Sequence, residues 1–189
     1  MSEKDQKSTQ NNNNKKRDFI LGGTINEESV HKLVEKIIEI NRYDEEQLEK
    51  DSSYIPKPIN IYINTYGGVL YDANMLIGVI ESSKTPVHTY CSGKAMSAGL
   101  YIYVSGHKRF ASPLATFMYH DASTGLQDTV EGLKHEVDHL EKLRDRYDEY
   151  IISRTKLPKE LMDAKKRIKE DLYLFAEEAL EYGIVDEII

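Results

Sequence analysis

The sequence predicts an α/β fold built on a parallel sheet, and three observations carry that prediction. Ile59-Asn60-Ile61-Tyr62-Ile63 and Val87-His88-Thr89-Tyr90-Cys91 are β-branched, partly alternating runs that read as strands. Between and after them, apolar residues recur at helical spacing. Each strand also runs into a turn of small residues, Asn64-Thr65-Tyr66-Gly67-Gly68 in one case and Gly93-Lys94-Ala95-Met96-Ser97-Ala98-Gly99 in the other. Repeated strand, turn and helix units close as parallel strands with right-handed crossovers. In such sheets functional groups gather at the carboxyl ends of the strands, where both turns fall.

The elements follow in order. Residues 1–16 are polar and low in complexity, with an asparagine tract at Asn11 to Asn14, and read as a disordered tail. Residues 17–189 read as a single domain, long enough to bury a core. Phe19-Ile20-Leu21 is a short strand closed by Gly22-Gly23. Asn26 caps a helix whose buried face is Val30, Leu33, Val34, Ile37 and Ile38. The charged stretch from Asn41 to Pro58 reads as a surface connection. Val69 to Ser82 is helical, and Thr85-Pro86 ends it before the next strand.

Leu100 to Val104 fits a buried helix or strand. Lys108 to Ala111 and Ala115 to Tyr119 are strand-like, the second ending at His120. A long helix is then predicted from about Gln127 to Thr155, with Val130, Leu133, Val137, Leu140 and Tyr147 as its stripe. It is longer than a domain of this size can cover, which suggests a subunit interface. Pro158 breaks it before a shorter helix that leads to Asp171. Leu172 to Phe175 is a short apolar run, Ala176 to Tyr182 the last helix with Gly183 as its cap, and Ile184 to Ile189 a strand or tail.

Composition excludes several classes. A net charge of −7 argues against a nucleic-acid surface. No apolar run reaches membrane-spanning length, and the N-terminus has no apolar signal core. The single Cys91 cannot form an internal disulfide, and a reducing cytosol is the expected compartment.

The chemistry centres on Ser97. A serine hydroxyl needs a base to take its proton and a third group to orient that base. His120 ends a strand and can share the sheet edge with Ser97. Asp171 is a plausible orienter, with Asp121, Asp163 and Asp186 as competitors. The oxyanion of acyl transfer needs backbone donors, for which the N–H groups of Gly68 and Ala98 are candidates, one from each turn.

These residues stand in motifs that resemble the Clp protease proteolytic subunit family, on the crotonase-like spiral of β-α units. The motifs are Ile63-Asn64-Thr65-Tyr66-Gly67-Gly68, Gly93 to Gly99, Met118-Tyr119-His120, and Ala176-Glu177-Glu178-Ala179-Leu180-Glu181-Tyr182-Gly183-Ile184-Val185-Asp186. The likeness runs from about Phe19 to the C-terminus and is closest to a divergent, phage- or plasmid-borne member. It implies a Ser97–His120–Asp171 triad, no metal or other cofactor, and a handle at residues 127–155 that stacks two seven-membered rings into a barrel. It also implies unfolded polypeptide substrates and an AAA+ unfoldase partner.

The sequence departs from the family pattern in places. Thr65-Tyr66 replaces the usual Ser-Pro, and Ala98 the usual Met. Tyr62, Tyr90 and Phe110 could line a docking groove, while Asn60 and Ser82 are polar where the family is often apolar. Other readings stand beside this one: an inactive or ATPase-independent ring subunit, a crotonase relative that handles acyl-CoA, and a zinc peptidase. The last rests on His135-Glu136-Val137-Asp138-His139, which matches His-Glu-x-x-His and lacks a later histidine, leaving a carboxylate such as Glu160 as third ligand. Its histidines lie nearly opposite the apolar stripe, which favours a solvated or interface face.

Overall fold

A computed structural model describes residues 16–123, 125 and 127–189. The expected tail of residues 1–16 therefore lies, apart from Lys16, outside the described residues. The α/β expectation holds: a seven-stranded sheet is flanked by helices, and all of its pairings but one are parallel.

Strand β1 (Asp18–Ile25) runs through Gly22-Gly23 rather than stopping there. The register shifts between Gly22 and Thr24, and Gly23 takes up the irregularity at φ 74°. Helix α1 (Glu27–Lys50) starts at Asn26, whose side chain accepts the Ser29 N–H at 2.9 Å. It buries Val30, Leu33, Val34, Ile37 and Ile40, whereas Ile38 is exposed. The helix continues well past Asn41, where a surface connection was expected. A buried carboxylate explains the extension. Asp44 accepts both Arg17 nitrogens, at 2.6 and 2.8 Å, together with the Thr85 and Tyr54 hydroxyls at 2.7 Å each. One charged residue thus anchors an otherwise solvated turn.

Strand β2 (Ile59–Gly68) points Ile59, Ile61, Ile63 and Thr65 into the core and Tyr62, Asn64 and Tyr66 outward. This is the period of two expected for a strand with one face packed on helices. Helix α2 (Leu70–Ser82) packs on α1 and leads to β3 (Val87–Met96). Strand β3 divides the sheet. Its first half pairs with β4 (Lys108–Ala111), and its last residues, Lys94 to Met96, pair with Thr116 to Met118 of β5 (Thr116–Tyr119). The divergence leaves the end of β3 facing the end of β5. Between them helix α3 (Ala98–Val104) is buried along its whole length.

From β5 the chain leaves the sheet as helix α4 (Val130–Arg154) and helix α5 (Lys159–Ile168). It returns as β6 (Leu172–Phe175), antiparallel to β5, then α6 (Ala176–Glu181) and β7 (Glu187–Ile188) on β4. The long helix begins later than predicted because Thr129 caps it, accepting the Gly132 N–H at 3.1 Å. Val130 is 71% exposed and Val137 46%, and burial begins only at Tyr147, Asp148 and Ile151. Its first half stands free of this chain's core. Among the described residues no helix is long and apolar enough to cross a membrane.

Candidate active site

Ser97 occupies the single step between β3 and α3, as the strand-to-helix junction predicts. Its backbone is at φ 53° and ψ −125°, a conformation that costs a non-glycine residue about 1–3 kcal/mol. Surrounding bonds hold it there. The Ser97 N–H donates to Met118 O at 2.9 Å, and its carbonyl accepts the Leu100 N–H at 2.9 Å. The first of these bonds ties the serine to the strand that carries His120. The outcome is a hydrogen bond of 2.7 Å between Ser97 Oγ and His120 Nε2.

The glycine turn packs directly on the serine. A Cβ on Gly67, whose φ is +112°, would lie 2.8 Å from Ser97 Cβ and 3.2 Å from Ala98 N. No other residue fits there without displacing the serine. Thr65 fixes the turn: its hydroxyl donates to Gly23 O at 2.5 Å and accepts the Gly67 N–H at 3.0 Å. Thr65 is thus a built part of the turn. Gly68 lines a cavity of about 100 Å³ together with Ser97, His120, Leu70, Tyr101 and Tyr119. That cavity opens beside a larger groove between Val69 to Tyr71 and the Val137, Leu140 and Tyr147 face of α4.

Asp171 comes to the same sheet edge without reaching the histidine. It stands one residue before Leu172, which pairs with Tyr119. Among the described residues, its carboxylate accepts the Tyr173 hydroxyl, 3.3 Å from Oδ2. The competing aspartates are occupied elsewhere or exposed. Asp186 is gripped by Arg109 at 2.5 and 2.9 Å, and Asp163 lies 2.9 Å from Lys166. Burial opposes ionisation of Asp186, but Arg109 holds its carboxyl below the usual range. Asp121 is exposed at the mouth of the groove.

The zinc motif does not converge on a site. His139 Nε2 lies 2.9 Å from the Tyr71 hydroxyl, and no group of three metal-ligating side chains gathers among the described residues.

One cluster was missed by sequence reasoning. Asp148, 5% exposed on α4, accepts the Tyr119 hydroxyl at 2.5 Å and pairs with Lys166 of α5. The signal was available: Asp148 sits beside Tyr147, one turn before the fully buried Ile151, on the helix's inward face.

A strand-end serine, a histidine at bonding distance and a glycine turn packed against the serine form a site that can attack a carbonyl. The Clp protease family model matches residues 2–189. The chain belongs to the Clp protease family. It is also similar to the ATP-dependent Clp protease proteolytic subunit of Deinococcus radiodurans, with 28% identity over 177 residues, 93% of this chain and 81% of that protein. A Clp protease fold accounts for the split at β3, and a peptidase activity for the site at its end.

Proposed function

We propose that this chain is a serine endopeptidase that cleaves peptides and unfolded polypeptides through Ser97, His120 and Asp171. The observation that carries the reading is the 2.7 Å contact between Ser97 Oγ and His120 Nε2. His120 takes the hydroxyl proton as Oγ bonds to the scissile carbonyl carbon, and the carbonyl π electrons move to its oxygen. The N–H groups of Gly68 and Ala98 donate to that oxyanion. The imidazolium then passes its proton to the leaving amine as the C–N bond breaks. Water, deprotonated by the same histidine, hydrolyses the acyl-serine and restores the hydroxyl. Asp171 holds the Nδ1–H of the histidine during turnover.

The same reading places the chain in a cytosolic barrel of stacked rings, joined through α4 and fed by an ATP-dependent unfoldase. The exposed first half of α4 supports the stacking, since apolar side chains left in water cost about 25 cal/mol per Å². A ladder of rings on the open sheet face supports docking: Tyr62 stacks on Tyr90 at 4.8 Å and Tyr90 on Phe110 at 4.7 Å. The relative's name supports an ATP-driven partner.

A fluorophosphonate probe tests the chemistry. It should label the wild type at Ser97 and leave Ser97→Ala untouched. Ser97→Ala and His120→Ala should each lower peptide turnover by roughly 10⁶-fold. A Ser97→Ala protein that hydrolyses peptides at the wild-type rate would overturn the reading.

A further inference from the structure

We propose that Asp148 is a positioning residue, the hub of a Tyr119–Asp148–Lys166 chain that sets His120 and the turn before Asp171 in working register. The inference rests on the serine peptidase reading above. Tyr119 is the residue immediately before His120 and is 2% exposed at the end of β5. Its hydroxyl donates to Asp148 Oδ1 at 2.5 Å, so the strand carrying the base is tethered to the buried part of α4. The other carboxylate oxygen is held by Lys166 of α5, which also contacts Asp163 at 2.9 Å.

Lys166 belongs to the last turn of α5, and that turn delivers Asp171. The Lys169 N–H donates to Lys166 O at 3.1 Å, and the Glu170 N–H to Lys165 O at 3.1 Å. Lys169 itself is left-handed at φ 56°, so the chain reverses sharply there before reaching Asp171. Lys165 Nζ adds a 2.8 Å contact to Glu170. Fixing Lys166 therefore fixes the stem of the turn on which Asp171 is carried.

The hub also touches the nucleophile's side of the site. Asp148 and Tyr119 line the same cavity as Ser97 and His120. Tyr101 of α3, one turn beyond Ser97, packs on Tyr147 with ring centroids 4.9 Å apart. Tyr147 in turn reaches Asn74 Oδ1 at 2.8 Å and Leu70 O at 3.2 Å. So α3, β5, α4 and α5 meet where Asp148 is buried.

Stability alone does not account for such a hub. Burying an ion pair costs desolvation that its attraction often fails to recover, and apolar residues of similar volume frequently serve better. The pair is nonetheless well made. Burial disfavours the Lys166 ammonium, yet Asp148 and Asp163 raise its pKa above the ordinary lysine value. What the pair adds over an apolar contact is direction: two oxygens of one carboxylate set the distance between β5 and α5.

The test is steady-state kinetics on Tyr119→Phe, Asp148→Asn, Lys166→Met and Lys166→Arg, with sedimentation velocity to hold assembly constant. A misplacement of about 1 Å costs ~10²-fold in rate, so Asp148→Asn should lower kcat by roughly 30- to 100-fold. KM should stay within about twofold, because ground-state binding is not what the hub serves. Fluorophosphonate labelling of Ser97 should slow in parallel. Lys166→Arg, which keeps the cation, should retain much more activity than Lys166→Met. If Asp148→Asn does not fold, Tyr119→Phe, which removes one oxygen, decides in its place. Folded and assembled variants with wild-type kcat and labelling rates would overturn the positioning role while leaving the serine chemistry intact. A wild type that takes no label would sink both.

Discussion

His120 and Asp171 each stand one residue beyond the pair Tyr119 and Leu172 that ends the β5–β6 ladder, yet no hydrogen bond joins them among the described contacts. The antiparallel pairing carries the two side chains to one edge of the sheet.

The first prediction follows from that relationship. Asp171→Asn should lower kcat by about 10⁴-fold if the carboxylate orients the imidazole during turnover. Tyr173→Phe, which frees Asp171 from its 3.3 Å contact, should by contrast cost less than about threefold. Peptide hydrolysis by the two variants checks this, and an Asp171→Asn enzyme of near wild-type rate would remove Asp171 from the mechanism.

The glycine turn gives a second prediction. Gly67→Ala places a methyl 2.8 Å from Ser97 Cβ and 2.9 Å from Met96 O, at a φ that alanine rarely adopts. Backbone strain of about 1–3 kcal/mol is expected, with a rate loss of at least ~10²-fold from the displaced hydroxyl. Thermal unfolding and fluorophosphonate labelling read the two effects separately. Gly23→Ala, at positive φ but in open space, should show strain without the loss of labelling.

Acid unfolding supplies a third. Burial works against ionised Asp44, but hydrogen bonds from Arg17, Thr85 and Tyr54 hold its pKa below the ordinary 3.8. Asp186 is held down in the same sense by Arg109. A depressed carboxylate contributes stability that is present above its unfolded pKa and is lost as pH falls through the folded one. Stability should therefore be insensitive to these groups above about pH 5 and fall steeply below about pH 4. Asp44→Ala should flatten that fall and cost about 3 kcal/mol at neutral pH, since the part-buried Arg17 loses its carboxylate partner. Urea titrations across pH 3 to 7 measure both.

The thiol yields a fourth. Burial pushes the Cys91 pKa up to about 12, and the side chain is 1% exposed. It is the thiolate that attacks maleimides and disulfide reagents. Native protein should resist them at neutral pH and react at once in denaturant. Rapid labelling of the native state would show that β3 opens locally.

Much of this architecture was legible because local chemistry and global fold agree. The alternation of Ile59, Ile61 and Ile63, the small residues around Ser97 and the break at Pro158 each mark an element that the structure contains. The errors fell where a distant partner decides. Nothing near Asn41 announces that α1 continues, because the reason is Arg17 and Thr85, far away in sequence. Gly22-Gly23 reads as a stop, yet parallel pairing with β2 carries the strand through. For the site, Ser97 and His120 were legible as strand ends. Asp148 was not, because a buried carboxylate on a charged helix looks like its solvated neighbours until Tyr119 and Lys166 are seen around it.

The excursion from β5 through α4 and α5 and back to β6 separates two lengths that a folded chain usually fixes together. The sheet needs only that the segment return to Tyr119 at Leu172, and doubling the length of such a closed segment costs about 0.6 kcal/mol in entropy. Whole turns could therefore be added to or removed from the start of α4, ahead of the groove wall at Val137 and Leu140, across generations without altering the residues around Ser97. In the proposed ring assembly, each such change would reset how far one subunit reaches toward the next. The span of the proposed interface is free to drift while the chemistry stays still.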